Sequence, residues 1–204
     1  VWTDRVSKFP DHEYVSDNLG VRFTYAEIDD KAGRLASWLK SVGVKNGDVV
    51  SFQMPPWSEF CILYVACLKV GAVCHPLPVT FNGEDLVYSM NLVESKAFIC
   101  PTFHHKTNFE DQFLSVKDEI TSLLDGAFCV HDKTVESHGT ITLNEIFETF
   151  EPLKEAPESN SDEIVLILST SGTTGRPKAV LISHNALIFS EKTFIKSLHL
   201  TRQD

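Results

Sequence analysis

Long hydrophobic runs are missing from this 204-residue chain. No apolar stretch approaches the roughly 18 residues that a bilayer-spanning helix needs. The start, VWTDRVSKFPD, also lacks the basic-then-apolar order of a secretory leader, so a cytoplasmic address is expected. Positive charge is scarce: 18 Lys and Arg stand against 28 Asp and Glu, a formal net charge of -10. With no concentrated basic patch, that balance repels nucleic acid and anionic membrane surfaces, and neither is expected as a partner. Cysteine is sparse and unpatterned. Cys61, Cys67, Cys74, Cys100 and Cys129 form no C-x-x-C pair, and their odd number cannot all be bridged internally. Their apolar surroundings predict reduced, buried thiols. No internal repeat is evident, which sets solenoids aside.

What is present is an ordinary globular composition, 43% hydrophobic, 23% charged and 10% aromatic, sufficient for a sizeable core. Val1 to Phe9 predicts a helix stopped by Pro10. Glu13–Ser16 and Val21–Phe23, flanking Asp17-Asn18-Leu19-Gly20, predict a hairpin. Thr24 and Glu27 form a capping box ahead of a helix whose apolar face is Ile28, Ala32, Leu35, Ala36, Leu39 and Val42, ended by Gly43. Strand-like and helix-like runs then alternate. Val49–Met54 precedes a buried helix over Phe60–Val70, capped by Ser58 and ended at Gly71; Val73–Leu77 precedes a helix over Glu84–Val93; Ala97–Cys100 follows. A helix within Gln112–Leu124 and a strand at Ala127–Val130 are expected to repeat the unit, before a short helix over Leu143–Phe150. Such alternation predicts an α/β fold with a helix-covered, largely parallel sheet. The acidic, proline-bearing stretch Glu151–Glu163 reads as a solvated connection between an α/β subdomain over 1–150 and a terminal unit over 164–204.

That terminal unit carries the chemistry. Between the apolar runs Ile164–Leu168 and Ala179–Ile182 lie Ser169-Thr170-Ser171-Gly172-Thr173-Thr174-Gly175-Arg176-Pro177-Lys178: five hydroxyls, two glycines, two cations and no acid. Glycine lets the backbone approach closely and turn its amides onto an oxyanion, and the hydroxyls add donors. Lys178 adds an ammonium, whose charge-assisted bonds to phosphate are stronger than neutral ones. A loop of this kind, held by two strands, suits a multiply charged anion. It is not a Walker A loop, because its glycines are three apart and Ala179 follows Lys178. The same residues could form a flexible linker, but the flanking strands and cationic end argue against one.

Other residues carry less. His104 and His105 have no ligand-type neighbours at metal spacing and belong to a solvated loop. Ser171 has no nucleophile elbow around it. Ser183 caps a last helix bearing Leu187, Ile188, Phe194 and Leu198, where His184 packs or caps. Trp57 and Phe60 are assigned to the core.

The stretch Ile167-Leu168-Ser169-Thr170-Ser171-Gly172-Thr173-Thr174-Gly175-Arg176-Pro177-Lys178 resembles the signature of the adenylate-forming, or AMP-binding, superfamily, most like its acyl-CoA synthetases. Leu68-Lys69-Val70-Gly71-Ala72-Val73-Cys74-His75-Pro76-Leu77, followed by Glu84-Asp85-Leu86, resembles a second signature of that family, and no catalytic residue is assigned to it. The family usually has glycine where Ala179 stands, which implies a slightly stiffer loop exit. The resemblance covers nearly the whole chain. It implies ATP-dependent activation of a carboxylic acid, with a fatty acid the nearest class, as an acyl-adenylate. The acyl group then passes to a thiol, most often coenzyme A. It implies further that Thr170, Ser171, Gly172, Thr173, Thr174, Gly175 and Lys178 hold the β- and γ-phosphates with Mg²⁺, with Lys178 the catalytic cation. Two other readings share these motifs: an aryl- or amino-acid-adenylating enzyme that loads a carrier protein, and a non-catalytic domain with an inherited loop. The chain begins at Val1, ends without a closing element, and lacks the family's later segments, including its small C-terminal domain. A fragment that does not turn over alone is therefore expected.

Overall fold

A computed structural model describes residues 1–17, 20–132, 140–154, 157–170 and 176–201. The chain opens with α1 (Trp2–Lys8), which stops before Pro10. A hairpin follows, β1 (Glu13–Ser16) antiparallel to β2 (Arg22–Thr24). Thr24 then caps α2 (Tyr25–Ser41), accepting from the Glu27 amide while the Glu27 carboxylate accepts from the Thr24 amide. The face bearing Ile28, Ala32, Leu35, Ala36 and Leu39 is fully buried, as its spacing predicts.

From there strand and helix alternate: β3 (Val49–Phe52), α3 (Ser58–Val70), β4 (Val73–Pro76), α4 (Gly83–Leu92) and β5 (Ala97–Cys100). A two-stranded ribbon, β6 (Phe103–His104) and β7 (Thr107–Asn108), leads into α5 (Phe109–Leu114), β8 (Phe128–Val130), β9 (Ile141–Thr142) and α6 (Leu143–Thr149). The described chain closes with β10 (Ile164–Thr170), β11 (Lys178–Ser183) and α7 (His184–Ser197). Seven strands form one sheet in the order β11-β10-β4-β3-β5-β8-β9, parallel throughout except for the β10–β11 pair. This is the helix-covered, largely parallel sheet that the alternation predicts.

Both faces of the sheet are covered. Ala97 and Ile99 of β5 enter a core shared with α2 and α3, whereas Phe98 and Cys100 enter a second core with α4 and α5. Successive strand residues point to opposite faces, so one apolar run serves both layers. From β3 the chain steps first to β4 on one side, then crosses back to β5 on the other. The winding therefore reverses at β3, and in open α/β sheets ligands bind beyond the carboxyl ends of the strands near such a reversal. The expected thiol state agrees with the packing except at Cys61, which is half-buried: all five cysteines are free, the other four are buried, and burial pushes the Cys74, Cys100 and Cys129 thiols well up.

The structure corrects four local expectations. Ser58 does not cap α3: the cap position is Trp57 with no side-chain bond, and the Asp17 carboxylate from the hairpin turn accepts from the Ser58 amide at 3.3 Å and hydroxyl at 3.0 Å. The helix expected within 112–124 starts earlier and ends sooner, as α5 and a 3₁₀ turn at Lys117–Glu119. Asn108 caps its start, and Phe113 is drawn inward to stack on Phe98, with ring centroids 4.5 Å apart. The connection after α6 is not simply solvated. Leu153 N donates to Gly33 O, Ser37 Oγ to Glu151 O, and the Arg34 guanidinium to the Phe147 and Phe150 carbonyls, strapping the connection along α2. Trp57 and Phe60 pack against the core but are only half-buried.

Candidate nucleotide-phosphate site

β10 lies beside β4 and runs parallel to it, so its last residue, Thr170, arrives at the carboxyl edge of the parallel strands. β11 returns antiparallel, and Thr170 is the direct partner of Lys178 across the pair. Directly opposed residues share a face of the sheet. Both strands run further into the hydroxyl-rich segment than the apolar runs indicate: Ser169 and Thr170 belong to β10, and Lys178 opens β11. Thr170, Arg176 and Lys178 are exposed, while Ser169 and Pro177 are half-buried. Thr170, Arg176 and Lys178, at the described ends of the loop, thus stand open to solvent.

The two cations of the segment have different settings. The Arg176 guanidinium lies over the Tyr88 ring of α4, 5.1 Å from its centroid, which ties one end of the loop to that helix by a cation–π contact. Lys178 makes no ion pair with any described residue. Of the seven candidate positions, Thr170 and Lys178 are brought together. Ser171, Gly172, Thr173, Thr174 and Gly175 lie outside the described residues. The stretch 169–183 supplies hydroxyls and cations but no carboxylate, and no group of three metal-ligating side chains occurs among the described residues.

Beside the end of β10 lies a buried polar cluster. His75 of β4 is fully buried. Its Nδ1 is 2.8 Å from Ser51 Oγ on β3, and its Nε2 is 3.5 Å from both Ser89 Oγ on α4 and Ser169 Oγ on β10. The two latter hydroxyls are 3.4 Å apart. Burial brings the His75 pKa down to about 4, so the ring is neutral at neutral pH. In the sequence His75 and Ser169 fall within the two motif stretches, but nothing there marks them as partners. Tyr88, the seat of Arg176, was equally unmarked.

The model of the family described as AMP-binding enzyme matches residues 2–204. The chain belongs to the AMP-binding enzyme family. Over 203 residues it is 34% identical to the medium-chain fatty-acid–CoA ligase of Escherichia coli K12, covering 100% of this chain and 36% of that one. It is 28% identical over 191 residues to the long-chain-fatty-acid–CoA ligase FadD13 of Mycobacterium tuberculosis, covering 94% of this chain and 35% of the relative. Among solved structures, a putative long-chain-fatty-acid CoA ligase from Rhodopseudomonas palustris CGA009 superposes with a TM-score of 0.81 at 22% identity, covering 98% of this chain and 47% of the other. At that identity the likeness speaks for the fold. This AMP-binding chain spans little more than a third of the length of the two curated relatives. Among its described residues, no helix is long and apolar enough to cross a membrane.

Proposed function

We propose that the complete protein carrying this chain activates a fatty acid with ATP and transfers the acyl group to coenzyme A. In the first step a carboxylate oxygen attacks the α-phosphorus, the bond to the bridging oxygen breaks, and pyrophosphate leaves with that electron pair, forming the acyl-adenylate. In the second, the coenzyme A thiolate attacks the acyl carbon and AMP departs. Fatty acids are favoured because relatives at 34% and 28% identity are fatty-acid–CoA ligases.

The observation that carries this reading is the pairing of Thr170 with Lys178 at the carboxyl edge of the sheet, at the two ends of the glycine-rich loop. In the proposal Thr170, Ser171, Gly172, Thr173, Thr174 and Gly175 grip the β- and γ-phosphates through hydroxyls and amides. Lys178 adds the charge that stabilises pyrophosphate as it leaves. Mg²⁺ bound to the triphosphate would neutralise part of its charge, alongside Lys178. We assign residues 1–150, the connection 151–163 and the loop-bearing unit 164–204 to the first part of a larger N-terminal domain. Residues outside this chain supply the acyl pocket and a small C-terminal domain, so the 204 residues alone do not turn over.

The test is acid-dependent exchange of labelled pyrophosphate into ATP by the complete protein across a panel of fatty, aryl and amino acids. Exchange with a fatty acid supports the proposal, and exchange with none sinks it. Lys178→Ala removes a charge-assisted phosphate contact. It is expected to slow adenylation by about 10- to 150-fold, corresponding to about 1.5–3 kcal/mol.

A further inference from the structure

Among the described residues, His75 is a fully buried group beside the end of β10 whose chemistry the proposed reaction leaves unused. It occupies a central strand where its neighbours Val73 and Cys74 are buried apolar residues. The hydroxyls around its ring come from three different elements, β3, α4 and β10. A neutral imidazole offers one donor and one acceptor. The 2.8 Å contact to Ser51 takes up the Nδ1 side and fixes the ring plane. Nε2 is then shared between Ser89 and Ser169, each at the long distance of 3.5 Å. Ser169 is the last strand residue before Thr170, so whatever holds its side chain sets the point from which the loop departs.

We propose that His75 is a positioning residue for the phosphate loop: locked by Ser51, it holds Ser169 and thereby sets the position from which Thr170 meets the nucleotide. The inference rests on reading the 169–178 segment as the ATP phosphate loop. His75 does not touch substrate. Its effect falls on ATP and spares the carboxylic acid, which is bound elsewhere. Ser89 competes for the same nitrogen, so the anchor is shared between the helix and the loop strand rather than rigid.

Steady-state kinetics of the complete protein test it, with His75→Leu, His75→Gln, Ser169→Ala and Lys178→Ala compared. His75→Leu is expected to raise the KM for ATP about tenfold and to leave the KM for the acid within about twofold. His75→Gln retains a polar amide near the Nε2 position and is expected to restore most of the ATP affinity. Ser169→Ala removes the anchored hydroxyl while leaving the ring in place, and is expected to reproduce the ATP defect. Parallel loss for ATP and acid, with no recovery in the glutamine variant, would mean a purely structural histidine and overturns the proposal. If His75→Leu does not fold, Ser169→Ala decides alone: an unchanged KM for ATP rejects the anchor. If Lys178→Ala is impaired while Ser169→Ala and His75→Leu are not, the loop reading stands and the positioning role falls. If Lys178→Ala is itself unimpaired, the loop reading fails and the inference with it.

Discussion

At the scale of single residues, the ring of His75 is enclosed, and among the described residues only serine hydroxyls stand at hydrogen-bonding distance of its nitrogens. Burial depresses its folded pKa from 6.5 to about 4. In the unfolded chain the same imidazole takes up a proton below about pH 6.5. Between those limits the unfolded state binds more protons, so stability rises with pH and is lost as the pH drops. The contribution of His75 is complete above pH 6.5 and lost by about pH 4. At about 1.4 kcal/mol per unit, the loss across that window is about 3 kcal/mol. Urea unfolding at pH 7.5 and 4.5 checks this: His75→Gln, which cannot titrate there, should show a smaller acid loss than the parent by about 2–3 kcal/mol. An identical acid loss in the two proteins would mean that His75 already carries its proton when folded. Glu59 illustrates the opposite balance. Burial works to raise its carboxyl, but bonds from His131 and from its own backbone, with the charge of His131, hold it below the ordinary value.

At the scale of elements, the end of α3 shows how tightly neighbouring pieces constrain one another. Gly71 adopts φ +77°, a conformation costly to residues with a side chain. A Cβ there would collide with the Asn46 side chain and come within 2.8 Å of Pro157 Cγ in the acidic connection. The Gly71 carbonyl also accepts from Gly47 N at 2.9 Å. Gly71→Ala therefore adds backbone strain to a steric clash and is expected to destabilise the fold by about 2 kcal/mol or more, measured as a drop in the urea midpoint at unchanged slope. The left-handed stop itself was legible, because a glycine follows an apolar run. So were the capping box at Thr24 and Glu27, the alternation of strand and helix, and the two strands flanking the loop. These features are local, and each is written within a few neighbouring residues. The cap on α3 was not legible, because Asp17 reaches Ser58 across the fold. The bounds of α5 follow from Phe113 stacking between Phe98 and Phe128, which no local pattern encodes. The site divides in the same way: Thr170 and Lys178 could be named from the motif, whereas Ser51, His75, Ser89 and Ser169 meet only once β3, β4, β10 and α4 are assembled.

For the molecule as a whole, burial among the described residues is uneven, and the strands that flank the loop lie at the boundary. Strands β3 and β5 are covered on both faces, while β11 is an edge strand and α7 has no buried residue. The loop consequently springs from one strand seated on β4 and returns into one that is largely exposed. On that exposed flank stand Leu181 at 61%, Phe189 at 73%, Phe194 at 57% and Leu198 at 55% relative exposure. Covering any one such side chain is worth roughly 1.5–3 kcal/mol, and an unpaired strand edge beside them offers a ready template for pairing. The opposing term is the formal charge of -10, which is long-ranged and screened by salt. The apolar attraction is short-ranged and survives salt, so the 204-residue chain on its own is expected to self-associate, and to do so more strongly as ionic strength rises. Sedimentation velocity over a concentration series at about 0.05 and 0.5 M salt, on either side of ordinary screening, measures this directly. Phe189→Glu combined with Phe194→Glu adds charge to the same flank and should shift the chain toward monomer without lowering its urea midpoint, because neither ring is buried in the fold. A chain that remains monomeric at both salt concentrations would show that the exposed flank does not drive association.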